Sequence, residues 1–185
     1  MDVKATNLPD VKLVIPELFE DSRGFFLEAW NAESFRQAGL PADFVQLNHS
    51  RSSQWTLRGL HFQLTHPQGK LVRVLQGRIL DVAVDVRPGS EQFSRWTSVE
   101  LSSDNHHQIY LPPGFAHGFL VLSSYADVEY LTTDFYDPTG ERCLLWNDPA
   151  IGIEWPLTDQ PQLSAKDKTA PRLEELAAEL ELFRI

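Results

Sequence analysis

The chain has 185 residues, with 26 acidic and 16 basic side chains and a formal net charge of −10. This length suits one domain with a substantial core, so residues 1–185 are read as a single unit. A hydrophobic fraction of 42% excludes a disordered chain, and a pI near 5.0 argues against general nucleic-acid or membrane-surface binding. No apolar run approaches the ~20 residues that span a bilayer. Met1-Asp2-Val3-Lys4 has neither the basic nor the apolar region of a signal peptide. The single cysteine, Cys143, can neither pair within the chain nor supply a cysteine set for zinc. A soluble, cytoplasmic protein is expected.

In chain order, Lys12–Ile15 reads as a short strand ended by Pro16. Asp21-Ser22-Arg23-Gly24 has turn chemistry, and Phe25–Trp30 follows as a strand. Asn31 is a good N-cap for a short helix through Ala38, closed by Gly39. Strand-like runs then dominate: Phe44–Asn48, Leu57–Gln63, Lys70–Gln76, Arg78–Val86, Trp96–Leu101, Gln108–Leu111, Gly118–Leu122 and Val128–Thr133. Gln76-Gly77 is a hairpin signal. In Ile79–Val86, Leu80, Val82, Val84 and Val86 share one face, with Asp81, Ala83 and Asp85 on the other. After Pro171, Leu173, Leu176, Ala177 and Leu180 recur with the period of an amphipathic helix. Many short strands with a peripheral helix predict an all-β sandwich or barrel, and a jelly roll is preferred.

The charges are unevenly spread. Phe44–Leu80 holds no acid but carries Arg51, Arg58, Lys70, Arg73 and Arg78, a formal charge of +5. The segment forms either an anion pocket or a set of strands whose outer faces use cations, and composition leaves both open.

Two histidine segments belong together: His61-Phe62-Gln63 and Pro112-Pro113-Gly114-Phe115-Ala116-His117. The second matches the Pro-x-Gly-x-x-His half of the metal-binding cupin pattern. The first departs from it, with Gln63 where a second histidine would stand and no acid before Asp81. Two imidazoles fall short of the three protein ligands a transition-metal site needs. His61 and His117 are therefore read as pocket residues with no metal, or as hydrogen-bonded core histidines. His49, His66, His106 and His107 read as surface residues.

Several segments carry more together than any one alone. They are Arg23-Gly24-Phe25-Phe26-Leu27-Glu28, Gln46-Leu47-Asn48-His49-Ser50, Leu57 to Gln63, Gln68 to Val74, Phe115-Ala116-His117-Gly118-Phe119, Thr132 to Tyr136 and Leu163-Ser164-Ala165-Lys166-Asp167. In this order and spacing the chain, from about Arg23 to Pro171, resembles the dTDP-sugar epimerase family of the cupin superfamily. One departure is Trp55, where the family often has a small residue. The resemblance implies a cupin-type jelly roll, a homodimer and no cofactor. It also implies epimerisation of dTDP-4-dehydro-6-deoxy-glucose at C3 and C5, in the dTDP-rhamnose pathway. Single-site epimerases of other dTDP-ketosugars share much of the pattern.

The same resemblance implies site roles. His61 would be the base, paired with Asp167, and Tyr130 the proton donor on the opposite face. Lys70 would place a cation beside the C4 oxygen. Arg58 and His117 would lie close to the sugar. Glu141 and Lys166 would hold the nucleotide-sugar, with Arg23, Phe26 and Glu28 entering from the neighbouring subunit. Gln46, Leu47 and Asn48 would meet the pyrimidine or phosphate, and Tyr136 would stack on thymine. The chemistry is apt. Imidazole, with an ordinary pKa near ~6.5, abstracts protons at neutral pH, whereas a phenol near ~10 stays protonated and donates. From the residues alone, Tyr130 between Val128 and Thr132 is more often a packing residue, Lys70 more often a solvated one, and Arg23 and Glu28 are better read as an ordinary turn and strand pair. A sugar- or nucleotide-binding module without catalysis is the rival from another class. It has no need of a base and an opposed acid. A metal cupin oxygenase is disfavoured by Gln63 and the missing acid.

Overall fold

The computed structural model describes residues 1–181 and 183. The architecture is a jelly roll of antiparallel strands in two facing sheets. One sheet runs β1 (Asp2–Ala5), β2 (Lys12–Ile15), β10 (Gln108–Leu111), β7 (Lys70–Gln76), β12 (Tyr125–Thr132), β5 (Gln46–Ser53). The other runs β13 (Glu141–Cys143), β6 (Leu57–Gln63), β11 (Phe115–Val121), β8 (Arg78–Asp85), β9 (Trp96–Ser102). A separate hairpin joins β3 (Leu18–Asp21) to β4 (Gly24–Leu27). Strands β2, β6, β7 and β10 have the bounds their sequence pattern predicts. The helix after Asn31, α1 (Ala32–Gln37), is capped as expected: the Asn31 side chain accepts from the Glu33 and Ser34 amides.

Four sequence expectations are corrected. Gln76-Gly77 is not a hairpin turn, because β7 and β8 lie in different sheets. Gly77 has φ +84°, and a Cβ there would meet the Tyr125 carbonyl oxygen at 2.2 Å, so glycine turns the chain between sheets. Several boundaries shift, the strand expected at Gly118–Leu122 being Phe115–Val121 and that expected at Phe25–Trp30 being Gly24–Leu27. Strands β1, β3 and β13 lie outside the expected set. The C-terminal periodic segment divides into a 3-10 turn (Leu173–Leu176) and a short helix (Ala177–Leu180). It buries Leu173, Leu176 and Leu180 but leaves Ala177 exposed.

Between the sheets, Val72, Val74, Ile79, Ala83, Ile109, Phe119, Val121 and Val128 belong to an apolar core. The outer faces are covered unequally. On the five-stranded sheet, Leu60, Phe62, Val82 and Val84 pack beneath Leu144, Ile151, Leu173, Leu176 and Leu180. The apolar face of β8 thus points outward, and its Asp81 face points inward. On the six-stranded sheet, Phe35 of α1 packs over Val14, Leu71 and Tyr110, and beside it Leu47, Leu75, Phe25 and Phe26 are exposed.

Candidate active site

A cavity of about 470 Å³ opens between the sheets, bordered by Arg58, His61, Lys70, His117, Tyr130, Glu141, Lys166 and Asp167. It joins a lobe of about 200 Å³ bordered by Gln46, Asn48, Gln63, Gln68 and Tyr136, with His61, Lys70, Tyr130 and Glu141 common to both. Strand alternation explains the lining: on β5 Gln46, Asn48 and Ser50 face in while Leu47 and His49 face out. The side chain of Leu47 is therefore on the far side of its sheet from the cavity. It lies 56% exposed, in a separate groove beside Trp30.

His61 on β6 and His117 on β11 are direct cross-strand partners. Their strands approach closely at two glycines. A Cβ on Gly59 would meet Gly118 Cα at 2.6 Å, and one on Gly118 would meet the Arg58 carbonyl at 2.6 Å. The cavity wall therefore requires glycine at both positions.

Each histidine holds a carboxylate. His61 Nε2 and Asp167 Oδ1 are 2.6 Å apart. Asp167 comes from α2 (Ala165–Lys168), 106 residues away in sequence. Two backbone hydrogen bonds dock the preceding segment on the start of β6, Leu57 N to Gln162 O and Gln162 N to Trp55 O. The Ser164 hydroxyl donates to Asp167 Oδ2 at 2.7 Å and accepts from the Asp167 amide. Burial pushes the Asp167 carboxyl up, but the hydrogen bonds with His61 and Ser164 outweigh it and hold the group below its ordinary range. His117 Nε2 lies 2.8 Å from Oδ2 of Asp81, which is fully buried. Asp81 Oδ1 has no hydrogen-bond partner.

Lys70 is buried, and its ammonium donates to the His61 carbonyl at 3.4 Å. Burial lowers its pKa to about 8, against the opposing pull of Asp81 and Glu141. Burial also raises the Tyr130 phenol, with Arg58 pulling it back. Lys166 bonds Glu141 at 2.7 Å, and the Tyr136 hydroxyl donates to the same carboxylate at 3.3 Å. Arg58 Nε donates to Ser52 Oγ at 2.9 Å. In the second lobe the Gln46 amide donates to Asn48 Oδ1 and accepts from the Tyr136 backbone.

Arg23, Phe26 and Glu28 are not brought to this cavity. Arg23 is paired with Asp21, Phe26 is 68% exposed on the β3–β4 hairpin, and Glu28 accepts from Asn31. Asp81 and Cys143 went unassigned on sequence. Asp81 carried a signal, an acid alternating with apolar residues on one strand. Cys143 carried none, because its place beside His61 depends on the three-residue strand β13. Its thiol is raised to about 11 by burial.

A jelly roll whose interior holds a carboxylate-bound imidazole, a buried ammonium and a phenol defines a class: an acid–base enzyme working on a small polar substrate. The family model described as dTDP-4-dehydrorhamnose 3,5-epimerase matches residues 5–175, and the chain belongs to that family. A dTDP-4-dehydrorhamnose 3,5-epimerase of Pseudomonas aeruginosa is 54% identical over 169 residues, covering 90% of this chain and 93% of the relative. The crystal structure of a dTDP-6-deoxy-D-glucose-3,5-epimerase from Legionella pneumophila, in complex with dTDP-4-keto-L-rhamnose, superposes with a TM-score of 0.94. It is 46% identical, covering 97% of this chain and 96% of that one. A 3'-monoepimerase from Streptomyces bikiniensis, in complex with dTDP-quinovose, is also similar. Its TM-score is 0.89 at 34% identity, with 97% and 91% of the chains covered.

Proposed function

We propose that this protein epimerises dTDP-4-dehydro-6-deoxy-D-glucose at C3 and C5, giving dTDP-4-dehydro-L-rhamnose. The observation that carries the mechanism is that His61 and Tyr130 enter one cavity from opposite sheets, on β6 and β12. C3 and C5 both flank the C4 ketone, so loss of either proton sends the C–H electron pair into an enolate with its charge on O4. His61 takes that proton, and Asp167 orients the ring and stabilises the imidazolium, as the carboxylate does in a catalytic triad. The Lys70 ammonium offsets the charge developing on O4. Tyr130 returns a proton to the carbon from the other face, which inverts it. Proton exchange with solvent resets both groups for the second carbon.

Arg58 and His117 border the sugar. Lys166 exchanges its bond with Glu141 for one to the diphosphate. Gln46, Asn48 and Tyr136 receive the thymidine end in the smaller lobe. The exposed aromatics Phe19, Phe25 and Phe26 support a homodimer in which the hairpin of one copy brings Arg23, Phe26 and Glu28 to the other's cavity.

Turnover in heavy water tests the double epimerisation: the product should carry deuterium at both C3 and C5. Label at one carbon alone would reassign the protein to single-site epimerisation, and no label would refute the reaction. Sedimentation should find a dimer that Phe26→Asp weakens together with activity.

A further inference from the structure

Cys143 takes no part in the mechanism above, yet β13 sets it directly across from His61. Its sulfur, a ring nitrogen of His61 and a carboxylate oxygen of Asp167 all lie within 4.8 Å of one another. This is the one such group among the described residues, and it lies beside the open cavity. Thiolate, imidazole and carboxylate are the donors that zinc accepts, and the Cys143 thiol releases its proton to solvent as the metal–sulfur bond forms. At bond lengths of ~2.0–2.3 Å, two ligands of one tetrahedral ion stand roughly 3.3–3.7 Å apart. The three atoms must close from within 4.8 Å to that spacing, and because His61 and Asp167 border the cavity, water from it can take the fourth position. The sulfur makes the site selective for soft or borderline ions over Mg²⁺ and Ca²⁺, which take oxygen ligands.

We propose that His61, Cys143 and Asp167 form an inhibitory site for Zn²⁺ or Cd²⁺. It is distinct from the cupin-pattern pair His61 and His117. A cation there engages an imidazole nitrogen and the carboxylate that the base needs, so turnover stops until it leaves. The positive charges of Lys70 and Lys166 along the same cavity weaken the site and keep occupancy reversible. The inhibition rests on His61 being the base; the binding does not.

Three readouts separate these claims. With Co²⁺ as the probe, the protein should show a thiolate-to-cobalt charge-transfer band that Cys143→Ser removes. Zn²⁺ should inhibit epimerisation reversibly, with chelator rescue, and Cys143→Ser should retain activity while requiring about tenfold more Zn²⁺, or beyond that. Without any variant, Zn²⁺ should also protect the protein's single thiol from alkylation. Absence of the cobalt band, or equal Zn²⁺ sensitivity in Cys143→Ser, would overturn the site. A band and thiol protection without inhibition would leave the metal site standing and refute the role of His61.

Discussion

Two histidine–aspartate pairs present their imidazoles to one cavity from adjacent strands, and they are built differently. The His61 side chain is 25% exposed and its Asp167 partner 3%, whereas His117 and Asp81 are 8% and 0% exposed. Asp167 reaches His61 from a distant helix and is held by the Ser164 hydroxyl as well. Asp81 is two strand positions from Ala83, the cross-strand partner of His117, and leaves one oxygen without a partner. A base must meet substrate on one side and be fixed on the other, and only the His61 pair combines exposure with a fully bonded carboxylate. The His117 pair suits a rigid wall that binds.

The largest effect expected from breaking this contrast is on Asp167. Asp167→Asn keeps the shape but removes the charge that stabilises the imidazolium, and kcat should fall about ten-thousand-fold with the fold intact. Tyr130→Phe removes only the donor. Inverted product should fall about a hundredfold or further, while hydrogen exchange from the substrate continues, as NMR of the recovered sugar would reveal. Asp81→Asn should act on the other pair mainly as a loss of stability, about 1.5–3 kcal/mol in urea unfolding, with a smaller kcat change than Asp167→Asn.

Lys70 gives the smallest and most pH-dependent effect. Its folded pKa of about 8 lies below the ordinary 10.5. Between these values the unfolded chain holds a proton that the folded one has released. The burial penalty is therefore fully felt below pH 8, and the Lys70 contribution should rise as pH climbs from about 8 to 10.5. Turnover should instead fall around pH 8, where the folded protein loses this ammonium. Lys70→Met should abolish that decline from a low baseline and stabilise the fold at neutral pH by on the order of 1–3 kcal/mol.

Much of this was legible in the sequence because it is local. Strands β6, β7 and β10 each carry a compact run rich in apolar residues, and Asn31 caps its helix through neighbouring amides. What escaped is mostly what distant segments decide. Strand β13 is three residues long and pairs with the distant β6, while β1 and β3, four residues each, pair with near neighbours but are too short to show a period. Gly77 has the residues of a hairpin, but the Tyr125 backbone beside it makes it a corner between sheets. The apolar face of β8 points away from the space between the sheets because residues 144–180 cover it.

The cation-rich stretch divides in the same way. Arg51, Arg73 and Arg78 pair with Asp127, Glu129 and Glu100, acids from outside the segment. Arg58 and Lys70 alone among its five cations border the cavity. The outer-face reading of that charge pattern thus holds for three cations, while the other two stand where the proposed anionic substrate would bind. The net charge of −10 describes neither.

The contrast between the two pairs is tested most directly by solvent exchange in heavy water with His61→Ala and His117→Ala side by side. His61→Ala should take up no deuterium into dTDP-4-dehydro-6-deoxy-glucose at either C3 or C5. His117→Ala should still label both carbons, at a raised KM. Label entering at either carbon in His61→Ala, or its complete loss in a folded His117→Ala, would contradict the assignment of the base.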